Sequence, residues 1–123
     1  TNKKEGDIVI IEVMSKFKQD ITSELKRAFP PPPSRKKNDE KDEPKNEEEV
    51  ANDPRKIYDK ISTQVVENIN KDYLLIKGRK EVLFRKRKRY VEITAVVSSK
   101  EIRDDNTVSS LKLLEPKITV LRY

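Results

Sequence analysis

The side chains best equipped for chemistry in this chain are cationic. Arg79 and Lys80 precede an unbroken run of Arg85, Lys86, Arg87, Lys88 and Arg89, and only Glu81 opposes them between positions 79 and 89. Guanidinium and ammonium groups at this density can hold the phosphates of DNA, RNA or an anionic lipid headgroup. Phe84 and Tyr90 flank the run and offer rings on which bases could stack. The same run also reads as a solvated hairpin tip, whose charges keep strand edges from pairing with other chains. No recognition helix, zinc-ligand spacing or aromatic RNA-binding motif accompanies it. A solvated face or a protein contact therefore ranks first, and a small basic β-barrel that binds nucleic acid through residues 79–89 ranks second.

The carboxylates carry less. Glu101, Asp104 and Asp105 lie close enough in sequence to suggest a divalent cation. The ligand spacing and glycine of a calcium loop are missing, and Asp and Asn at turns commonly bond their own backbone. No metal is expected. Nor is catalysis: the chain has no His and no Cys, which removes the commonest general base and thiolate chemistry. Gly6 and Gly78 are the only glycines. A phosphate-cradling loop or a nucleophile elbow therefore cannot form. The expectation is a protein without enzymatic activity and without a cofactor.

The elements that must position the basic run follow from the apolar pattern. Of the 123 residues only 33% are hydrophobic and 41% are charged, and the formal net charge is +6. Residues 57–123 hold fifteen basic against nine acidic side chains, so the excess sits there. Asp7 to Val13 is nearly all β-branched and apolar, which suits a strand covered on both faces. In the next segment Phe17, Ile21, Leu25 and Phe29 recur every fourth residue, one face of an amphipathic helix over about 15–29. Pro30 to Pro33 stop it, because proline disfavours helical geometry in the residue before it.

Residues 30–56 are charged and proline-rich, with Val50 and Ala51 their only apolar side chains. They cannot bury enough area to offset chain entropy and read as a linker or long loop, with a short helix from Glu47 into Val50 as an option. From Ile57 the period becomes two. Ile61, Thr63, Val65 and Ile69 share one face, Asn70-Lys71-Asp72 form a turn, and Tyr73 to Ile76 start the next strand. Gly78 marks a bulge or a close backbone approach. Val82 and Phe84 lead to a tip at Arg85–Lys88, and Val91, Ile93, Ala95 and Val97 return on one face. Asp104 to Thr107 read as a polar turn, and Leu111 to Tyr123 as the last strand.

Short strands without crossover helices pair antiparallel. The fold class is mainly β: an antiparallel sheet or small open barrel, with the 1–14 strand and the core module 57–123 separated by the helix and the insert. So small a core is marginal alone and favours association. No stretch of about 18 apolar residues exists to cross a membrane as a helix. The chain opens at Thr1 without an initiator Met, as a mature or trimmed piece would.

One stretch is more specific. Glu101-Ile102-Arg103-Asp104-Asp105-Asn106-Thr107-Val108-Ser109-Ser110 resembles the most recognisable segment of the bacterial flagellar L-ring protein family, an acidic residue and Ile followed by Asp-Asn-Thr-Val and a Ser. Its surroundings agree in order. Gly6-Asp7-Ile8 is similar to that family's opening strand. Asn70, Leu74, Ile76 and Gly78 resemble its Asn-Gly-Asn-Leu-Val-Val-Arg-Gly hairpin, Tyr90 to Val97 the strand that leads into the motif, and Ile118 its final strand. The departures are Ala95 for the usual Gly, Glu101 for Asp, and Leu114-Glu115-Pro116 for an Ala-Asp-Ala-like segment. The lipoprotein cysteine of a mature N-terminus is also missing. The resemblance marks Glu101, Ile102, Asp105, Asn106, Thr107, Val108 and Ser110 as the motif. It implies a structural subunit of the basal body, forming a homo-oligomeric ring in the outer membrane around the rod and beside the P ring. Lipopolysaccharide is then a further candidate contact for the basic run.

Overall fold

The computed structural model describes residues 3–31 and 51–122. The charged insert expected over 30–56, with its optional helix at Glu47, lies mostly outside the described residues. The chain runs through strand β1 (Ile8–Val13), helix α1 (Ser15–Ala28), β2 (Asp59–Asn68), β3 (Tyr73–Phe84), β4 (Arg87–Ser98), β5 (Thr107–Ser109) and β6 (Leu114–Leu121). Two 3-10 turns, Ser99–Glu101 and Ser110–Lys112, bracket β5.

The strands form one six-stranded sheet in the order β5-β1-β2-β3-β4-β6. The sheet is open and not closed into a barrel. It is also mixed. Every pair is antiparallel except β1 with β5, where Ile10, Ile11 and Glu12 lie parallel to Thr107, Val108 and Ser109. The polar turn read at 104–107 hid this short strand, because three residues are too few for a period to show.

The alternation places one face of the sheet inward. Val9, Ile11, Val13, Ile61, Val65, Leu74, Ile76, Val91, Ile93 and Val97 are all buried. Helix α1 lays Phe17, Ile21 and Leu25 over that face. Each such side chain taken fully out of water contributes roughly 1.5–3 kcal/mol. The period of four seen in the sequence thus marks the covering layer of the core. Strand β1 departs from expectation: its second face is only partly covered, with Ile8 42% exposed and Ile10 and Glu12 half-buried. A run of β-branched residues here reflects strand propensity rather than burial on both sides.

Irregularities re-aim the strands. A bulge in β2 between Val65 and Glu67 turns Val66 out to solvent and breaks the alternation that would have buried Ile69. Gly78 is a close-approach glycine and not a bulge. A Cβ there would stand 2.3 Å from the Ser62 carbonyl oxygen and 2.9 Å from the Thr63 Cα, so β2 and β3 can cross only without a side chain. In β6 an extra residue near Glu115, whose φ is 49°, shifts the register against β4.

Candidate functional site

Two regions gather the residues marked by the sequence, one at each end of β4. The motif lies beyond the Ser98 end. Ile102 enters the core and Val108 is fully buried in β5. Between them the chain folds on itself, with the Asn106 N–H donating to the Arg103 carbonyl at 2.9 Å and the Arg103 N–H to the Thr107 carbonyl at 2.8 Å. Asn106 takes a φ of 69°, a left-handed geometry that Asn tolerates better than most residues. Its carbonyl accepts from the Ile10 N–H at 2.8 Å, which begins the parallel pairing, and its side-chain oxygen accepts from Lys3.

Asp105 receives the Thr107 hydroxyl at 2.5 Å and the Thr107 N–H at 3.2 Å. These bonds, the hydroxyl first, hold its carboxyl below the usual carboxylate range, and the charge on Arg103 adds to the effect. Arg103 in turn reaches Glu12 Oε1 at 2.7 Å and the Thr107 hydroxyl oxygen at 3.0 Å. The Ser110 hydroxyl accepts the Met14 N–H at 2.9 Å, at the residue that opens α1. Glu101 is half-buried, 3.9 Å from Lys112 Nζ. Asp104 is exposed. Nearly every polar group of the motif is spent on holding β5 beside β1 and on seating the helix. The carboxylates do not converge: no group that could hold a metal ion occurs among the described residues.

The basic run sits at the other end. Strands β3 and β4 meet in a two-residue turn, Arg85-Lys86, narrower than the four-residue tip expected, with Phe84 paired to Arg87. Both turn residues have positive φ, 52° and 66°. That is the type I′ geometry matching the twist of the flanking strands, usually filled by Asn-Gly. The pairing extends this far because long strands can register their side chains right up to such a turn.

The seven marked cations separate into three groups. Arg79 and Lys80 are ion-paired, with Glu92 at 3.1 Å and Asp59 at 3.2 Å. Lys86, Arg87 and Lys88 are exposed and make no ion pair among the described residues. Arg85 and Arg89 turn back onto the end of α1. Arg85 donates to the Phe29 carbonyl at 2.8 Å, capping the helix, and the Arg89 guanidinium lies 3.8 Å from the centre of the Phe29 ring. Arg122 approaches the same ring at 5.6 Å. The Tyr90 hydroxyl donates to Glu81 at 3.2 Å.

An open groove of about 400 Å³ runs between α1 and β6, lined by Phe17, Asp20, Glu24, Pro116 and Ile118 among others. Its two carboxylates are engaged by Lys16 and Arg27, each at 2.9 Å.

The family model of the flagellar L-ring protein, FlgH, matches residues 1–121. The chain belongs to this family. The family supplies the structural subunit of the flagellar L ring, in the outer membrane at the basal body, where the rod and the P ring are its neighbours. A search of curated proteins returned no match to the chain. Nothing in the comparisons supports the nucleic-acid reading of the basic run.

In this L-ring family chain the residues that sequence reasoning missed are the partners. Glu12 and Lys3 serve the motif from about ninety to a hundred positions away. Phe29 and Arg122 serve the tip; Phe29 was legible only as the last apolar residue of a helix. Arg103 lies inside the motif, but the resemblance rests on Glu101 and Ile102, on Asp105 to Val108 and on Ser110, and does not mark it. No local signal marks any of these pairings.

Proposed function

We propose that this chain is one stave of a closed homo-oligomeric ring, a mechanical bushing through which the rod turns, with no catalytic turnover. The observation that carries the reading is the pair of unlike sheet edges. On one side the sheet ends at β6, eight residues long, and on the other at β5, three residues long, which covers only half of β1. An uncovered strand edge presents unpaired N–H and C=O groups that favour another strand. Two different edges joining head to tail make a heterologous contact, which closes into a ring when the rotation is right. The groove beside β6 would be covered by the same neighbour.

In this reading the strand 1–14 and the module 57–123 act as one unit. Residues 101, 102, 105–108 and 110 have the role of shaping the β5 edge. The exposed Lys86, Arg87 and Lys88 face a partner: the P ring, the rod or the outer membrane with its lipopolysaccharide.

Because the chain lacks cysteine, disulfide trapping gives a clean test. Ser109→Cys and Thr119→Cys place thiols at the two edges. In assembled basal bodies the double variant should give a ladder of cross-linked multimers, and each single variant should stay monomeric. Dimers from either single variant would point to a two-fold contact and overturn the ring geometry. So would a double variant that stays monomeric.

A further inference from the structure

We propose that the end of the β3–β4 hairpin and the end of α1 together form a cradle for the phosphate of a membrane lipid headgroup. The inference deepens the partner contact suggested above for the tip and does not depend on ring closure. It starts from charge that has no counterpart among the described residues. Arg85, Arg89 and Arg122 gather around Phe29, and Lys86, Arg87 and Lys88 stand beside them. None of the six forms an ion pair among the described residues, whereas Lys77, Arg79 and Lys80, on strand β3 of the same hairpin, are all paired. Like charges held together without a counter-ion repel, and an anion placed among them removes that repulsion.

The register explains why Arg89 is held. On β4 it shares the inward side with Val91 and Ile93, so its stem runs along the end of the core and its head meets the Phe29 ring. Its Nε is buried and has no hydrogen-bond partner among the described residues. A buried donor left unpaired is unfavourable, and an acceptor oxygen at that position would satisfy it. The ring fixes the plane of the guanidinium. A fixed planar fork suits two oxygens of one phosphate, which a lysine ammonium cannot match in geometry.

Two features choose a lipid over a free anion or a nucleic acid. Leu83 is 61% exposed and pairs with Lys88 across the hairpin, so an apolar side chain stands beside Lys88 at the tip, on the face of the sheet opposite Arg89. A hairpin end that carries cations on both faces and an exposed apolar side chain suits a headgroup region, where each cation contributes to binding an anionic leaflet. Base stacking is poorly served, because Tyr90 is held by its hydroxyl bond to Glu81 and the Phe29 ring is already covered by Arg89.

The test uses the whole chain and sedimentation with vesicles of phosphatidylcholine alone, or of the same lipid mixed with phosphatidic acid, a phosphate monoester, or with phosphatidylglycerol, a diester. Binding to phosphatidic acid should exceed binding to phosphatidylglycerol at equal surface charge. Arg89→Lys and Arg122→Lys keep the charge and lose the fork, and should each bring the monoester down by about tenfold, toward the diester. Arg122 is exposed at the chain's end, so its variant tests the idea even where Arg89→Lys melts early by circular dichroism. Equal binding to both anionic lipids with unchanged lysine variants would mean charge alone, and would overturn the cradle. Inorganic phosphate that displaces the vesicles at matched phosphate concentration would reassign it to a free anion. A single-stranded oligonucleotide bound more tightly than the vesicles would overturn the lipid assignment.

Discussion

The two ends of β4 are equally conspicuous in the sequence and opposite in physics. At the motif end the polar groups face one another: Arg103 meets Glu12 and Thr107, Asp105 meets Thr107, and Ser110 meets Met14. At the tip three cations face solvent with no partner among the described residues. The difference teaches that a recognisable motif can be recognisable because it holds the fold. A featureless run of charge can be what the fold presents. Substitutions at the motif should therefore change stability, and substitutions at the tip should change binding.

The largest effect expected is at the apolar heart of the motif. Ile102→Ala opens a cavity under the turn and should cost about 2–3 kcal/mol, lowering the melting midpoint by roughly 10–20 °C. A midpoint within a few degrees of the parent's would show that the motif end is not structural. Ser110→Ala leaves the Met14 N–H without its acceptor, and urea melts should show a loss of about 1–2 kcal/mol. Ser110→Thr should keep most of that stability if the pocket admits a methyl.

At the tip the sign reverses. Lys86→Gly relieves a left-handed residue, and should leave stability unchanged or raise it by up to about 1 kcal/mol. A clear loss would mean that the lysine is engaged.

The comparison sharpens further with pH. The folded state holds the Asp105 carboxyl below its ordinary value, so its contribution is present above the unfolded carboxylate pKa and fades as pH falls through the folded one. Asp105→Asn should flatten the fall in stability below about pH 4 and leave the neutral-pH dependence as it was. An unchanged acid limb would remove the Thr107 bonds from the account. The smallest effect is that of Lys86, Arg87 and Lys88 changed together to Ala. Melting should move by no more than about 0.5 kcal/mol, while binding to anionic partners weakens and loses part of its salt dependence.

Much of the fold could be read from residues one or two turns apart. The helix ended where Phe29 precedes proline, and the alternation of Val91, Ile93, Ala95 and Val97 gave both strand and inner face. Boundaries failed where a local bond outweighed the apolar pattern. The last strand was read from Leu111. The Ser109 hydroxyl instead accepts the Leu111 N–H at 3.1 Å and turns the chain through Ser110–Lys112, leaving Leu111 65% exposed. Ile69 failed for a similar reason, the bulge at Val66 having moved it to the open face. Of the site, the cations were legible and their division was not.

The sequence by itself determined that this chain is mostly strand, that one face of each strand is apolar, that its positive charge lies between Arg79 and Arg89, and to which family it belongs. Those are properties of neighbours along the chain, set by periodicity and side-chain type. Tertiary structure alone decided that β5 runs parallel to β1, that Gly78 makes room for the Ser62 carbonyl, and that Phe29 collects Arg85, Arg89 and Arg122. Each of these joins residues far apart in sequence, and their partners are fixed by how the sheet coils and where the helix lands on it.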